Sequence, residues 1–232
     1  MKLAAVTPVY NEEHLIRGCI NSLKPFVDRH VVLVSEAPYF GESFPPDRTA
    51  EVSEELGADV IKGNWSLDHH QRNIGLALCS DCDWVLTFDS DEMMEASELE
   101  KFIHCLETTN AQAIVCDPVI YWKTTDYRLH TISGFQPIIA VRPDVRFWHI
   151  RNVTSSFQVS DCIMHHLSWC APKDIYKKVT TYAHAKEIDG KKWYREHYEN
   201  WKLGDKVILT NGEQFDAIYN PLPGELRNLL KW

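Results

Sequence analysis

Residues 84–92 read WVLTFDSDE, an apolar run that stops abruptly in Asp89, Ser90, Asp91 and Glu92. Five apolar or β-branched residues are enough for a short buried strand and too few for a helix. A buried strand that ends in acids needs a place where those acids meet solvent or a ligand. In an open α/β sheet that place is the carboxyl edge of the strands.

The flanking sequence supports such a sheet. Residues 3–9, LAAVTPV, form a predicted strand that ends at Pro8 and Tyr10, with Asn11 as the expected N-cap and Glu12 and Glu13 in the first helical turn. Leu15, Ile16, Cys19, Ile20 and Leu23 recur at helical spacing, and Pro25 closes that helix. A β-branched strand follows at 30–34, a Pro- and Gly-containing loop at 37–47, a helix at 49–56 and a strand at 59–62. Ser66 or Asp68 opens the next helix, with Ile74, Ala77 and Leu78 expected on its inner face. Past the acidic tip, Ser97-Glu98-Leu99-Glu100 has the form of a capping box before Leu99, Phe102, Ile103 and Leu106. Strand and helix thus alternate four times, the pattern of a parallel sheet covered by helices. Pro8, Tyr10, Ser35, Glu36, Asp89 and Asp91 all fall at predicted strand ends and are expected to gather there.

The second half reads differently. Strands are expected at 112–122, 127–132 and 136–148, partly antiparallel, with turns near Ser133-Gly134 and Arg142-Pro143-Asp144. Pro172 suits the first position of a helix running to about His184, and a further helix follows Gly190. A turn at Asn220–Gly224 precedes a short terminal helix.

The 232 residues, 44% of them hydrophobic, suffice for one sizeable core. The expected organisation is one domain over 1–232, with one half at 1–110 and the other at 111–232. A net charge of -9 argues against general nucleic-acid binding. No run approaches the ~20 apolar residues of a membrane span, and the N-terminus turns acidic at once, unlike a secretory leader. The seven cysteines are scattered and odd in number, which fits reduced thiols and a cytoplasmic location better than a disulfide framework. Cys79 and Cys82 form a lone CxxC without a second pair at zinc-ribbon spacing.

Asp89 and Asp91 stand two apart, so a strand-like extension would aim both carboxylates at one point. Such oxygen ligands suit Mn2+ or Mg2+, which also take oxygens from phosphates. The competing reading is an acidic turn that merely caps a helix.

VTPVYNEE at 6–13 and QRNIGLALCSDCDWVLTFDSDE at 71–92 together resemble the large family-2 glycosyltransferases of the GT-A fold. The resemblance implies a Rossmann-like, mostly parallel sheet flanked by helices, a smaller antiparallel acceptor-side sheet and C-terminal helices. It implies that Thr7, Pro8, Tyr10 and Glu12 lie near the base and ribose of a nucleotide-sugar donor, expected to be UDP-linked. Arg72 would lie near the diphosphate or hold the acidic strand end. Asp89 would contact ribose or metal, with Ser90 beside it on the donor, and Asp91 would bind Mn2+ or Mg2+. One departure is that the family's aspartate pair after the second strand is missing. Val34-Ser35-Glu36-Ala37-Pro38 stands there, and Glu36 is the expected substitute contact to the base.

The stretch from His166, HLSWCAPKDIYKK, is similar to the His-x-Ser segments of lipopolysaccharide-core glucosyltransferases and bisecting N-acetylglucosaminyltransferases. By that resemblance His166 completes the metal shell, and His165 is the second choice, read first as a core histidine. Lys177 and Lys178 could reach the diphosphate or simply form a solvated face. For the catalytic base the candidates are Asp161 and His149. The acceptor stays open between a glycan, a lipopolysaccharide precursor, a protein, a small molecule and a hydroxylated DNA base. Two rival functions remain at this point. A nucleotidyltransferase of similar shape would carry a glycine-rich basic loop after the first strand, which is absent here. A non-catalytic sugar-binding module would use Trp122, Trp148, Trp169, Trp193 and Trp201 as stacking platforms.

Overall fold

The computed structural model describes residues 1–130 and 135–230. The turn expected at Ser133-Gly134 lies outside the described residues. The first half runs β1 (Leu3–Val9), α1 (Glu13–Leu23), β2 (Arg29–Ser35), α2 (Thr49–Glu55), β3 (Asp59–Gly63), α3 (Asp68–Leu78), β4 (Trp84–Leu86), β5 (Glu92–Met93) and α4 (Ala96–Thr108). The second half adds β6 (Ala113–Trp122), β7 (Thr124–Leu129), β8 (Ile138–Val141), β9 (Phe147–His149), β10 (Asn152–Val153) and β11 (Phe157–Trp169). It continues with α5 (Pro172–Thr181), α6 (Gly190–Trp193), which runs on into a wider turn over Tyr194–Glu199, and then β12 (Val207–Ile208), β13 (Gln214–Phe215), β14 (Ala217–Tyr219) and α7 (Gly224–Arg227).

A ten-stranded sheet carries both halves. β3, β2, β1 and β4 lie side by side and parallel, in that order. Beyond β4 the sheet turns antiparallel through β8, β6, β7 and β14, while β11 runs parallel to β6 and antiparallel to β5. Alternation along β1 shows how both faces are covered. Leu3 and Ala5 pack with Cys19 and Leu23 of α1 and with Leu99 and Phe102 of α4. Ala4 and Val6 pack on the other face with Leu76 of α3 and with Val31 and Leu33.

Several local expectations are corrected. Asn11 is not the cap of α1; Glu12 holds that position, and Asn11 adopts φ 52. Asn tolerates this left-handed conformation, and its amide binds Pro45 O and the Asp47 N–H. Residue 11 therefore turns the chain out of the sheet rather than starting the helix. Likewise α4 begins before Ser97, with Glu95 at its cap. The expected strand at 136–148 is two strands, β8 and β9, joined through Arg142–Arg146. The histidine pair lies inside β11.

The largest correction concerns α3. Ile74, Ala77 and Leu78 are exposed, whereas Asp68, Gln71, Arg72, Gly75 and Leu76 are buried. The helix turns a partly polar face inward because that face has partners. Gln71 donates to Leu33 O at 2.6 Å, and Arg72 pairs with Asp68. Gly75 lets the helix close on β1: a Cβ there would stand 2.3 Å from Val6 Cγ1 and 3.0 Å from Leu33 Cδ1. Alanine in a helix gains up to ~1 kcal/mol over glycine, but overpacking a closed core costs ~1–3 kcal/mol. Gly75→Ala is therefore expected to lower stability by about 1 kcal/mol or more in urea denaturation. Unchanged or raised stability would show that α3 is free to move off the sheet.

Candidate active site

The strand ends of the parallel half open onto a cleft of about 920 Å³. Pro8, Tyr10 and Ser35 line one side, and the turn Asp89–Asp91 forms the floor. His149, Ile150 and Arg151 line a second side, and Lys177, Lys178 and His184 reach in from the C-terminal helical region.

The floor is fixed by a buried charge network. Thr87 donates to Ile139 O and Ile138 O and ends β4 against β8. The next residues turn: Glu92 N–H donates to Asp89 O at 3.0 Å, and Asp89 N–H donates to the Glu92 carboxylate at 2.8 Å. Arg72, with its side chain 2% exposed, reaches Asp68 at 2.7 Å and Asp89 at 2.6 Å. Arg151 binds the same turn from the bend between β9 and β10, contacting Asp89 at 3.2 Å and also Glu92. It donates as well to Thr87 O and Ile138 O. Its delivery has a conformational cost, because Ile150 sits at φ 45, where a β-branched residue is strained. Burial would push the Asp89 carboxyl up, but the two guanidinium groups outweigh it and hold the pKa below the ordinary value. For Glu92 burial prevails over Arg151 and the pKa rises.

Asp91 stands apart from that network. Lys178 binds its Oδ2, and His166 Nε2 lies 3.4 Å from its Oδ1. Burial opposes its charge, yet Lys178 and His166 prevail and hold the carboxyl well below the usual range. Asp91, Glu92 and His166 bring ligand atoms within 4.8 Å of one another, the one such group among the described residues. Three buried polar atoms around this floor have no partner among the described residues: Asp91 Oδ1, His166 Nδ1 and Arg72 Nη1. Buried polar groups are rarely left so, and two carboxylates with an imidazole suit Mn2+ or Mg2+. The donor set therefore fits a divalent cation.

The structure brings together Pro8, Tyr10, Glu12, Arg72, Asp89, Ser90, Asp91, His149 and His166, all on the cleft. The Glu12 carboxyl is pushed up to about 7 by burial, against the pull of Lys178 and Lys177. Other expected residues lie elsewhere. Thr7 is fully buried and its hydroxyl meets His30 Nε2 at 2.9 Å, so it faces the core rather than a nucleotide. Glu36 is exposed at the end of β2 and is not part of the cleft lining. Asp161 is exposed on β11, on the side that faces Lys101 and Cys105 of α4. It is not among the residues that line the cleft. Asp89 is shared by two arginines and does not join the Asp91–Glu92–His166 group. His165 is a core residue, bonded through Nδ1 to Tyr121 Oη at 3.0 Å and lowered by burial to about 4.

Sequence reasoning missed Glu92, Arg151 and the burial of the lysine pair. Glu92 was visible as the last acid of the DSDE run, whereas Arg151 sits in a short hairpin with no periodic signal. Lys177 is 9% exposed and bonds Asn11 O and Asp174, so the pair is not a solvated face. His184 was read as a helix-end residue. It lines the cleft with Nδ1 3.0 Å from the Glu187 carboxylate. Trp122, Trp169 and Trp193 pack with Tyr198 in a buried aromatic cluster, while Trp148 is 58% exposed. All seven cysteines are free, and Cys79 and Cys82 are buried.

Residues 4–171 match the family described as Glycosyl transferase family 2. An uncharacterized glycosyltransferase of Rickettsia felis is 32% identical over 111 residues, 48% of this chain and 36% of that protein. One of Rickettsia conorii is 31% identical over the same shares. The chain thus spans about a third of the length of these curated relatives. Among solved structures, glucosyl-3-phosphoglycerate synthase from Mycobacterium tuberculosis in complex with Mn2+, UDP and phosphoglyceric acid superposes with a TM-score of 0.52 at 15% identity, over 96% of this chain and 87% of that one. S. aureus TarS 1-349 in complex with UDP-GlcNAc gives 0.51 at 16% identity, over 76% and 64%. At these identities the likeness is one of fold.

The floor network makes its own prediction. Removing one partner of a buried ion pair leaves the other charge uncompensated and costs ~3–5 kcal/mol. Arg151→Met is expected to destabilise the fold by that order in urea denaturation. A loss below about 1 kcal/mol would mean that Glu92 and Asp89 are not held by this guanidinium.

Proposed function

The chain belongs to glycosyl transferase family 2, and from that premise we propose that it moves a sugar from a UDP-linked donor to an acceptor hydroxyl, with Mn2+ or Mg2+ at Asp91. The observation that carries this reading is Asp91 itself: a buried carboxylate on the cleft floor, with one oxygen unpartnered and an imidazole facing it. That UDP is bound with Mn2+ or Mg2+ in the mycobacterial neighbour, and UDP-GlcNAc in TarS, supports a uridine nucleotide and a divalent ion. We treat residues 1–232 as one domain, with the donor in its first half.

Asp91 and His166, with Glu92 beside them, would hold the cation. When bound, it supplies positive charge against the diphosphate as the sugar leaves. The protein's own groups do the rest. Pro8 and Tyr10 flank the nucleotide, and Tyr10 is held by its phenolic oxygen, which accepts from Phe44 N–H at 2.8 Å. Arg72 Nη1 and the Lys178 ammonium face the diphosphate, where charge develops, which is where preorganised donors accelerate a reaction. Asp89 keeps both arginines in place. An acceptor hydroxyl approaching from the His149 side gives its proton to that imidazole. The acceptor is a glycan, a lipopolysaccharide precursor or another hydroxyl compound; with a net charge of -9, a hydroxylated DNA base is the less favoured class. Among the described residues no helix is long and apolar enough to cross a membrane.

Release of UDP from UDP-sugars, measured with and without Mn2+, tests this reading. Asp91→Asn is expected to lose metal-dependent turnover by at least about a hundredfold, in keeping with the several kcal/mol a metal contributes, with an unchanged circular dichroism spectrum. His166→Ala should raise the Mn2+ concentration needed. Asp161→Asn, outside the cleft, should stay within about twofold of wild type. Full activity in Asp91→Asn would refute the metal assignment.

A further inference from the structure

Lys178 stands where a divalent cation would be needed. Its ammonium binds Asp91 Oδ2, and the two side chains are only 17% and 5% exposed. The other carboxylates of the floor have their own cations: Arg72 takes Asp68 and Asp89, and Arg151 takes Asp89 and Glu92. Lys177 is bonded to Asn11 O and Asp174, at the end of β1. Among the described residues, Lys178 is thus the permanent cation on Asp91, with His166 as the neutral or charged group on its other oxygen.

We infer that Lys178 gates cation entry. In the donor-free protein it holds the metal carboxylate, and it releases that carboxylate only when a diphosphate offers the ammonium another anion. The inference rests on Asp91 being the metal carboxylate, as proposed above, and goes beyond it by assigning an order to binding.

The physical case is one of charge. A buried carboxylate that already carries an ammonium is neutralised, so a second, doubly charged cation beside it meets repulsion in a poorly screened setting. A nucleoside diphosphate removes that repulsion, because it supplies negative oxygens to both the ammonium and the metal. The movement required is small. Lys177 pins α5 against the end of β1, so the backbone can stay while the flexible four-carbon stem of Lys178 swings. Lys178 already lines the cleft, so its new position lies within the same cavity. Metal and nucleotide should then bind as a pair, each raising the affinity of the other by the same factor.

Mn2+ binding followed by electron paramagnetic resonance, with UDP as the nucleotide, reads this without turnover. Wild type is expected to bind Mn2+ weakly alone, and at least about tenfold more tightly with saturating UDP, within the range of ordinary site coupling. Lys178→Met should bind Mn2+ alone at least about tenfold more tightly than wild type, and UDP should then add much less. Lys178→Gln repeats the test should the methionine variant not fold, and Lys178→Arg, which keeps the charge, should behave as wild type. If both neutral variants leave the Mn2+ affinity within about twofold, the gate is overturned while the metal site stands. If neither wild type nor variants bind Mn2+ with UDP present, the site reading fails and takes the gate with it.

Discussion

The arrangement of this molecule depends on the cost of burying charge. Four acids stand around one strand end: Asp68, Asp91 and Glu92 are largely withdrawn from water, and Asp89 is half-buried. Carboxylates in that position persist only with partners. The fold supplies two guanidinium groups and one ammonium. Arg72 comes from a helix that packs under the sheet, and Arg151 comes from a strained hairpin that packs against that helix through Asn73 and Phe147. The acidic turn is thereby tied to α3, to β8 and to the β9–β10 hairpin at once. Its geometry is set before any ligand arrives, which is what a site that works by electrostatics requires.

The division of labour among the acids follows from these partners. Asp89 is consumed in holding the turn, and Glu92 helps to hold it while staying within reach of Asp91 and His166. Asp91, which has no guanidinium, keeps one oxygen free toward His166 and offers the other to a lysine. A lysine is a movable counterion, whereas each arginine is a planar fork held by two carboxylates at once. The rigid part of the floor and its exchangeable part are therefore made from different cations.

The same economy explains α3. An amphipathic helix ordinarily turns its aliphatic stripe inward, but here the stripe of Ile74 and Leu78 is exposed. Burying Gln71 and Arg72 is favourable because Leu33 O, Asp68 and Asp89 receive their hydrogen bonds. Gly75 supplies the close approach that places those partners within reach. The helix is oriented by its polar contacts and its one missing side chain.

The sequence by itself determined the acidic strand end and the alternation of strands and helices through Thr108. Those features are local: period-two and period-3.6 patterns, and residues adjacent in the chain, are written without reference to distant segments. Only the tertiary structure decided which face of α3 is buried, that Thr7 points into the core, that Asp161 faces away from the cleft, and that Asp89 belongs to two arginines. It also decided that Arg151 and Lys178, 62 and 87 residues from the acids they bind, complete the floor. Pairings between buried charges depend on which segments the fold brings together, and nothing in the local pattern around a single arginine or lysine records the carboxylate waiting for it.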